Sequence, residues 1–299
     1  MNRRWIFLFM VTLALAGCDN TRSPGVPENV RNTLDYSGRN YIEFLEAIVD
    51  YRKPEDSLKL QSLYYLIAYM PSHGYRTYLL QDTSGLLIDY NIRDYKNFKR
   101  LTEVKDSISL KHGKLHFIRH YYGKDVFIVD SEYMKDLVEE SITVWRSNEW
   151  SKNYDFEVFK EKILPKRLNS GPFDDWQAII RDSLLTKLEI KTDNPLEVAD
   201  AIYHRLRGFL KWDKRYIENP TDQGWQEMKK HRSARTEDAA VLLLAALRSY
   251  GIAAAIDFIP LTIESSEYST YWVVVWDAQG NKRYYYPFGD SLKKPTRFP

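Results

Sequence analysis

The sequence predicts an α+β protein, and three observations predict it. Residues 237–250 read as a helix whose centre, residues 239–247, is apolar on every side, as in a helix buried all round. Three β-like runs follow at residues 253–259, 271–276 and 282–286. Upstream, from about residue 30 to residue 70, apolar residues recur at helical spacing. One buried helix on a meander of strands, preceded by a helix-rich region, is an α+β arrangement.

Each element has a local reason. Leu60, Leu63, Tyr64, Ile67 and Ala68 share a helical face; Pro54 stands in a first turn and Met70-Pro71 ends the helix. Between residues 78 and 130 the signal weakens to short β-like pieces at 85–88, 115–118 and 126–129. Helices are expected at 131–145 and at 156–163, the latter closed by Pro165. In the second half, Asp193-Asn194-Pro195 supplies a cap and an early proline for a helix lined by Ala199, Ile202, Tyr203, Leu206 and Phe209. Gly251 stops the buried helix, and Asp277-Ala278-Gln279-Gly280-Asn281 is a hairpin turn.

The N-terminus carries a different message. Arg3-Arg4 forms a basic start, and residues 5–16 are an apolar run too short to span a bilayer, which needs about 20 residues. Leu15-Ala16-Gly17-Cys18 then resembles the lipobox of bacterial lipoproteins. That resemblance implies a signal peptide over 1–17 and acylation of Cys18, with palmitate-type chains holding the protein on the membrane. Anchoring by more than one chain is stable, since each buried methylene adds about 0.8 kcal/mol. Residues 18–29, with Pro24 and Pro27, read as the lipidated cysteine and its tether. Asp19 resembles an inner-membrane retention signal of enteric bacteria. The expected location is the periplasmic side of the cell envelope, with the choice of membrane open.

Composition narrows the partners. With 44% hydrophobic and 14% aromatic residues the chain can bury a substantial core. Without Arg3 and Arg4 the 43 basic residues fall to 41, matching the 41 acidic ones. No basic stripe stands out, which argues against nucleic acid as a partner. Cys18 is the one cysteine, and the lipid would consume it; no disulfide, thiolate metal site or thiol nucleophile is expected.

The second half resembles a known superfamily. Arg235-Thr236-Glu237-Asp238, the buried helix, Arg248-Ser249-Tyr250-Gly251-Ile252-Ala253, the run Tyr271-Trp272-Val273-Val274 and the close Tyr286-Pro287-Phe288 resemble the transglutaminase-like, papain-related core. Upstream, Tyr69-Met70-Pro71-Ser72-His73, Trp145, Trp150, Phe156, Phe159 and Ile163-Leu164-Pro165-Lys166-Arg167 resemble the N-terminal region that accompanies this core in Bacteroidetes proteins. The resemblance implies a helix-rich region over 30–165 and a transglutaminase-like domain over 166–299. Active members carry Cys at the start of the buried helix, His on the next strand and Asp on the following one. Those positions fall here on Thr236, Thr270 and Tyr286, so the implied site is degenerate. A threonine hydroxyl needs an adjacent base, and Thr270 is none. Thr236 reads as the N-cap of a helix whose first turn carries Glu237 and Asp238.

Other sites weigh less. His116 and His120 have metal-compatible spacing only on a helix, yet their stretch reads as strand. His204 sits on the polar side of its helix, and His231 is a displaced-base candidate without a supporting element. Neither a metal nor another cofactor is expected. The expectation is a tethered, non-catalytic module with a groove at Thr236, Glu237, Thr270, Trp272 and Tyr286 for peptide, protein or glycan. The alternatives are an amide-bond hydrolase or acyltransferase with rearranged residues, and a structural scaffold of an envelope complex.

Overall fold

The computed structural model of the 299-residue chain describes residues 25–172, 176–186, 188–259 and 270–289, without the side chains of 176–178 and 270. The expected signal segment and Cys18 lie outside the described residues. Among those described, no helix is long and apolar enough to cross a membrane.

The first half begins with α1 (Glu28–Tyr36), α2 (Tyr41–Asp50) and α3 (Ser57–Tyr69). Pro54 opens a short 3-10 turn into α3, and Met70-Pro71 begins another that ends it, as their fixed φ favours. The chain then enters β1 (Gly74–Gln81), β2 (Leu87–Ile88), α4 (Phe98–His112) and β3 (His116–Lys124), with β1 between the other two strands in an antiparallel sheet. Gly74 and Gly123 meet where β1 and β3 begin and end; a Cβ on Gly74 would stand 2.6 Å from the Gly123 carbonyl oxygen. Next comes α5 (Ser131–Ser147), which closes a core of Phe44, Ile48, Leu63, Ile67, Met134 and Val138 against α2 and α3.

Two expectations fail in this half. The apolar run at 126–129 is not a strand but begins within a 3-10 turn, Asp125–Phe127, with Val126 and Val129 both sunk in the helical core. A four-residue apolar run does not distinguish strand from turn by periodicity. Residues 98–112, within the region read as weak and β-like, form α4. That helix fully buries Leu101 and half-buries Phe98, Val104 and Ile108 on the same face, a short stripe among many charges. Its ends were nevertheless written in the sequence: the Asn97 side chain accepts from the Arg100 amide at 2.9 Å, and Gly113 follows at φ +79°.

The second half holds α6 (Phe156–Lys162), α7 (Trp176–Ser183), α8 (Pro195–Leu206), β4 (Lys211–Trp212), α9 (Trp225–His231), β5 (Ser233–Ala234), α10 (Thr236–Ser249), β6 (Ala254–Ile259), β7 (Thr270–Trp276) and β8 (Lys282–Tyr285). Strands β4 and β5 pair in parallel, while β6-β7-β8 is an antiparallel meander. Every residue of α10 from Asp238 to Ser249 is buried, as its all-round apolarity requires. Val273, Val275 and Tyr285 meet it from the sheet, and Ile180, Val198 and Ile202 pack in the same core. This is the mixed helix and sheet architecture the sequence predicts.

Several joints bind these elements together. Trp145 lies flat on Phe159, ring centres 4.3 Å apart, in a cluster that includes Ala253 from the far side of α10. The buried Arg248 guanidinium donates to the Ala254 carbonyl and, at 2.6 Å, to the Pro165 carbonyl. Burial draws its pKa down to about 10. Gly251 turns the chain at φ +72°, where a Cβ would meet Ser151 Oγ at 2.9 Å.

Candidate functional site

The start of α10 is where the implied nucleophile position falls. The helix starts at Thr236, so its N-cap is Arg235, and no side chain caps it; Thr236 occupies the first helical position instead of the cap expected of it. A cluster of charges surrounds this start. Arg235 Nη2 lies 2.5 Å from Asp222 Oδ1 and 3.3 Å from Glu237 Oε2, while its Nε approaches Asp238 Oδ2 at 3.2 Å as an ion pair. Arg235 Nη1 also donates to the Asn219 carbonyl at 2.9 Å. Asp238 in turn accepts from the Gln223 amide at 3.2 Å, and Asp222 accepts from the Ser170 amide at 2.8 Å.

Three carboxylates around one guanidinium leave an excess of negative charge. Asp238 is fully buried, and burial is the main cause that pushes its carboxyl up to about 7; Asp222 and Glu237 add to it, while Arg235 and the Gln223 amide oppose it. Glu237 is raised as well, first by burial and then by Asp222, although the Tyr271 hydroxyl hydrogen-bonds to it. The same hydrogen bond, with burial as the larger cause, raises Tyr271. Burial works against the Arg235 charge, and its carboxylate neighbours outweigh it, holding the guanidinium more firmly protonated.

A pH effect follows from Asp238. Its folded pKa lies above the ordinary value of about 3.9, so between about pH 4 and 7 the folded chain holds a proton that the unfolded chain has released. This group therefore contributes less stability as pH rises through that window. Asp238→Asn removes the titration while keeping an acceptor for Gln223. Urea unfolding at pH 5 and pH 7 is expected to show a smaller loss of stability with rising pH in the variant; an unchanged slope would refute the assignment.

The expected groove does not form one surface. Tyr271 is the β7 residue that reaches the start of α10. Thr270 pairs at the backbone with Ile259, and its side chain lies outside the described residues. Trp272 is 2% exposed and Tyr286 lies 6.2 Å from it, ring to ring. Because Val273 and Tyr285 pair across the strands and face α10, their neighbours Trp272 and Tyr286 belong to the opposite face of the sheet. The sheet thus separates Thr236 and Glu237 from Trp272 and Tyr286. At 2% exposure the Trp272 ring offers no face to a ligand.

The histidines stand elsewhere. His231 ends α9, and the groups acting on its proton are Arg93, Glu227 and Lys230; burial is the main cause that lowers its pKa. His116 and His120 lie on β3, exposed, at strand spacing, and His204 is exposed on α8. Among the described residues no group of three His, Cys, Asp or Glu side chains is placed to hold a metal.

A second place was not singled out as a site by the sequence. A cavity of about 180 Å³ lies between α3, α5 and residues 165–172. Tyr65, Tyr69, Tyr133, His73, Asp125 and Arg167 are among its lining residues. It brings together the two upstream stretches that resemble the accompanying N-terminal region, 69–73 and 163–167. Arg167 Nε lies 3.0 Å from Asp125 Oδ2, and the Asp125 amide donates to the His73 carbonyl at 3.2 Å. Burial raises the Asp125 carboxyl against the pull of Arg167, and burial with Arg167 lowers His73, favouring neutral imidazole.

No family model, no curated protein and no solved structure matches the chain.

Proposed function

We propose that the protein is a membrane-tethered envelope lipoprotein with a catalytically degenerate transglutaminase-like core, and that it binds peptide, protein or glycan. The observation that carries this reading is the charge cluster at the start of α10. Catalysis of the implied kind needs a nucleophile with a base beside it and an orienting group behind the base. Here the helix start presents Arg235, Asp222, Glu237, Asp238 and Tyr271, which bind one another. The groups that act on the proton of each are carboxylates, the guanidinium and the phenol. The order of α10 and the β6-β7-β8 meander agrees with the implied core, and the lipobox-like Leu15-Ala16-Gly17-Cys18 supports the tether.

Two measurements test this. Incorporation of an alkyne-tagged fatty acid is expected in the native chain and absent in Cys18→Ser; equal labelling of both removes the tether. The full chain, assayed on a peptide pool for amide hydrolysis and amine transfer beside Thr236→Ala, is expected to show no turnover. Turnover that Thr236→Ala abolishes would establish an enzyme with a base in a different place.

A further inference from the structure

The cavity between α3, α5 and residues 165–172 carries chemistry that the packing does not use. Asp125 is 2% exposed, and its Oδ1 is buried without a hydrogen-bond partner, while Oδ2 meets Arg167. A buried acceptor left unsatisfied is costly, more so when charged, and Asp125 is among the residues that line the cavity. Tyr65, Tyr69 and Tyr133 share the remaining wall with aliphatic side chains such as Met70, Val129 and Leu137. Tyr65 and Tyr69 stand 4.8 Å apart, ring to ring, and Tyr69 is 55% exposed, which places it at the mouth.

Charge selects among the donors. A cationic ligand would meet the Arg167 guanidinium 3.0 Å from the same carboxylate, with Lys166 also in the lining. An anionic ligand would meet the orphaned carboxylate oxygen. A neutral hydroxyl suits both, because it donates to Asp125 and accepts from a cation or from His73. Size selects further. A cavity of roughly 150 Å³ holds a benzene molecule, so about 180 Å³ admits one six-membered ring. A ring with hydroxyls on its edge and C–H groups on its face matches a lining of charged groups with tyrosine and aliphatic side chains.

We propose that this cavity is a sugar site that takes one neutral pyranose ring, with hydroxyls on Asp125 and Arg167 and a C–H face on Tyr69. The proposal deepens the binding-module reading by naming the ligand class, and it places that ligand away from the start of α10. The two fail separately: turnover at Thr236 would remove the module reading and leave the cavity untouched.

The test uses the full chain in a detergent without a sugar headgroup. Saturation-transfer NMR and calorimetric titration are run with neutral hexoses, N-acetylhexosamines and their short oligomers, and with a peptide pool. At least one neutral sugar is expected to saturate the native protein. Tyr69→Ala, a change at an exposed ring, is expected to weaken it about three- to tenfold. Asp125→Asn is expected to weaken it about tenfold or more, with near-UV circular dichroism confirming the fold. No saturable sugar, or a sugar whose affinity neither variant changes, overturns the proposal. A peptide that binds in a Tyr69-dependent way where no sugar does would also overturn it, in favour of a peptide site.

Discussion

Replacing Arg235 with Met is expected to cost about 3–5 kcal/mol of stability at pH 7.5, because it strands the buried Asp238 carboxylate, whose ion-pair partner among the described residues is Arg235. Arg235 is the cation shared by Asp222, Glu237 and Asp238, and Asp238 is fully buried. Met keeps the length of the apolar stem, so the loss reports charge more than volume. The sign of its pH dependence follows directly. Without the guanidinium the Glu237 and Asp238 carboxyls are raised still further, so acidification protonates them in the folded chain and relieves the repulsion. Urea unfolding should therefore show a large deficit at pH 7.5 that narrows at pH 5. A variant as stable as the native chain at both values would mean that the carboxylates are not a closed cluster held by Arg235.

Trp145→Ala has an effect of similar size and a different origin. The ring is 1% exposed, stacks on Phe159 at 13° between planes, and donates from Nε1 to the Tyr154 carbonyl at 3.1 Å. Truncating a buried tryptophan costs about 3–5 kcal/mol in transfer and cavity terms. The location matters as much as the size. The Tyr154 hydroxyl donates to the Trp276 carbonyl at 2.6 Å, so the cluster reaches into β7. The expected result is a lower Tm in a single transition, with faster amide hydrogen exchange at Val273 and Val275 as well as along α5. Protection in β7 that stays at the native level would show that the two halves open independently.

Much of the second half was legible because its residues speak locally. Asn194-Pro195 opens α8 as a cap and early proline do, with the Asn194 side chain accepting from Leu196 at 2.9 Å. The all-round apolar run became a helix buried all round, and Asp277 closes the hairpin turn by accepting from Gln279 and Asn281. The strands β4 and β5 were missed because a two-residue pair is made only by tertiary contact. Helix α4 did carry a signal, Phe98, Leu101, Val104 and Ile108 at helical spacing, which a reading of the region for short strands passed over.

The site was harder, for a physical reason. The stretch Arg235-Thr236-Glu237-Asp238 was in view, but Asp222 lies in a loop thirteen residues earlier and joins through Arg235. No spacing rule relates them. Strand alternation did bear on Trp272 and Tyr286, whose neighbours Tyr271 and Tyr285 face α10; reading the pairing register was needed to see that the sheet divides the expected groove. His73, Asp125 and Arg167 are scattered over almost a hundred residues of sequence, and only folding makes them one wall.

The central claim is that the start of α10 is a closed electrostatic cluster and not a catalytic centre. Its most direct test is the reactivity of a thiol placed there, Thr236→Cys in a Cys18→Ser background, alkylated by iodoacetamide across pH. The helix terminus supplies about half a positive charge and favours thiolate, but three carboxylates against one guanidinium oppose it. The account predicts a rate that rises with a midpoint at or above the ordinary thiol value of about 8.5. A midpoint below about 7, in the range of activated cysteines, would contradict it and show that the helix start still carries the field of a working active site.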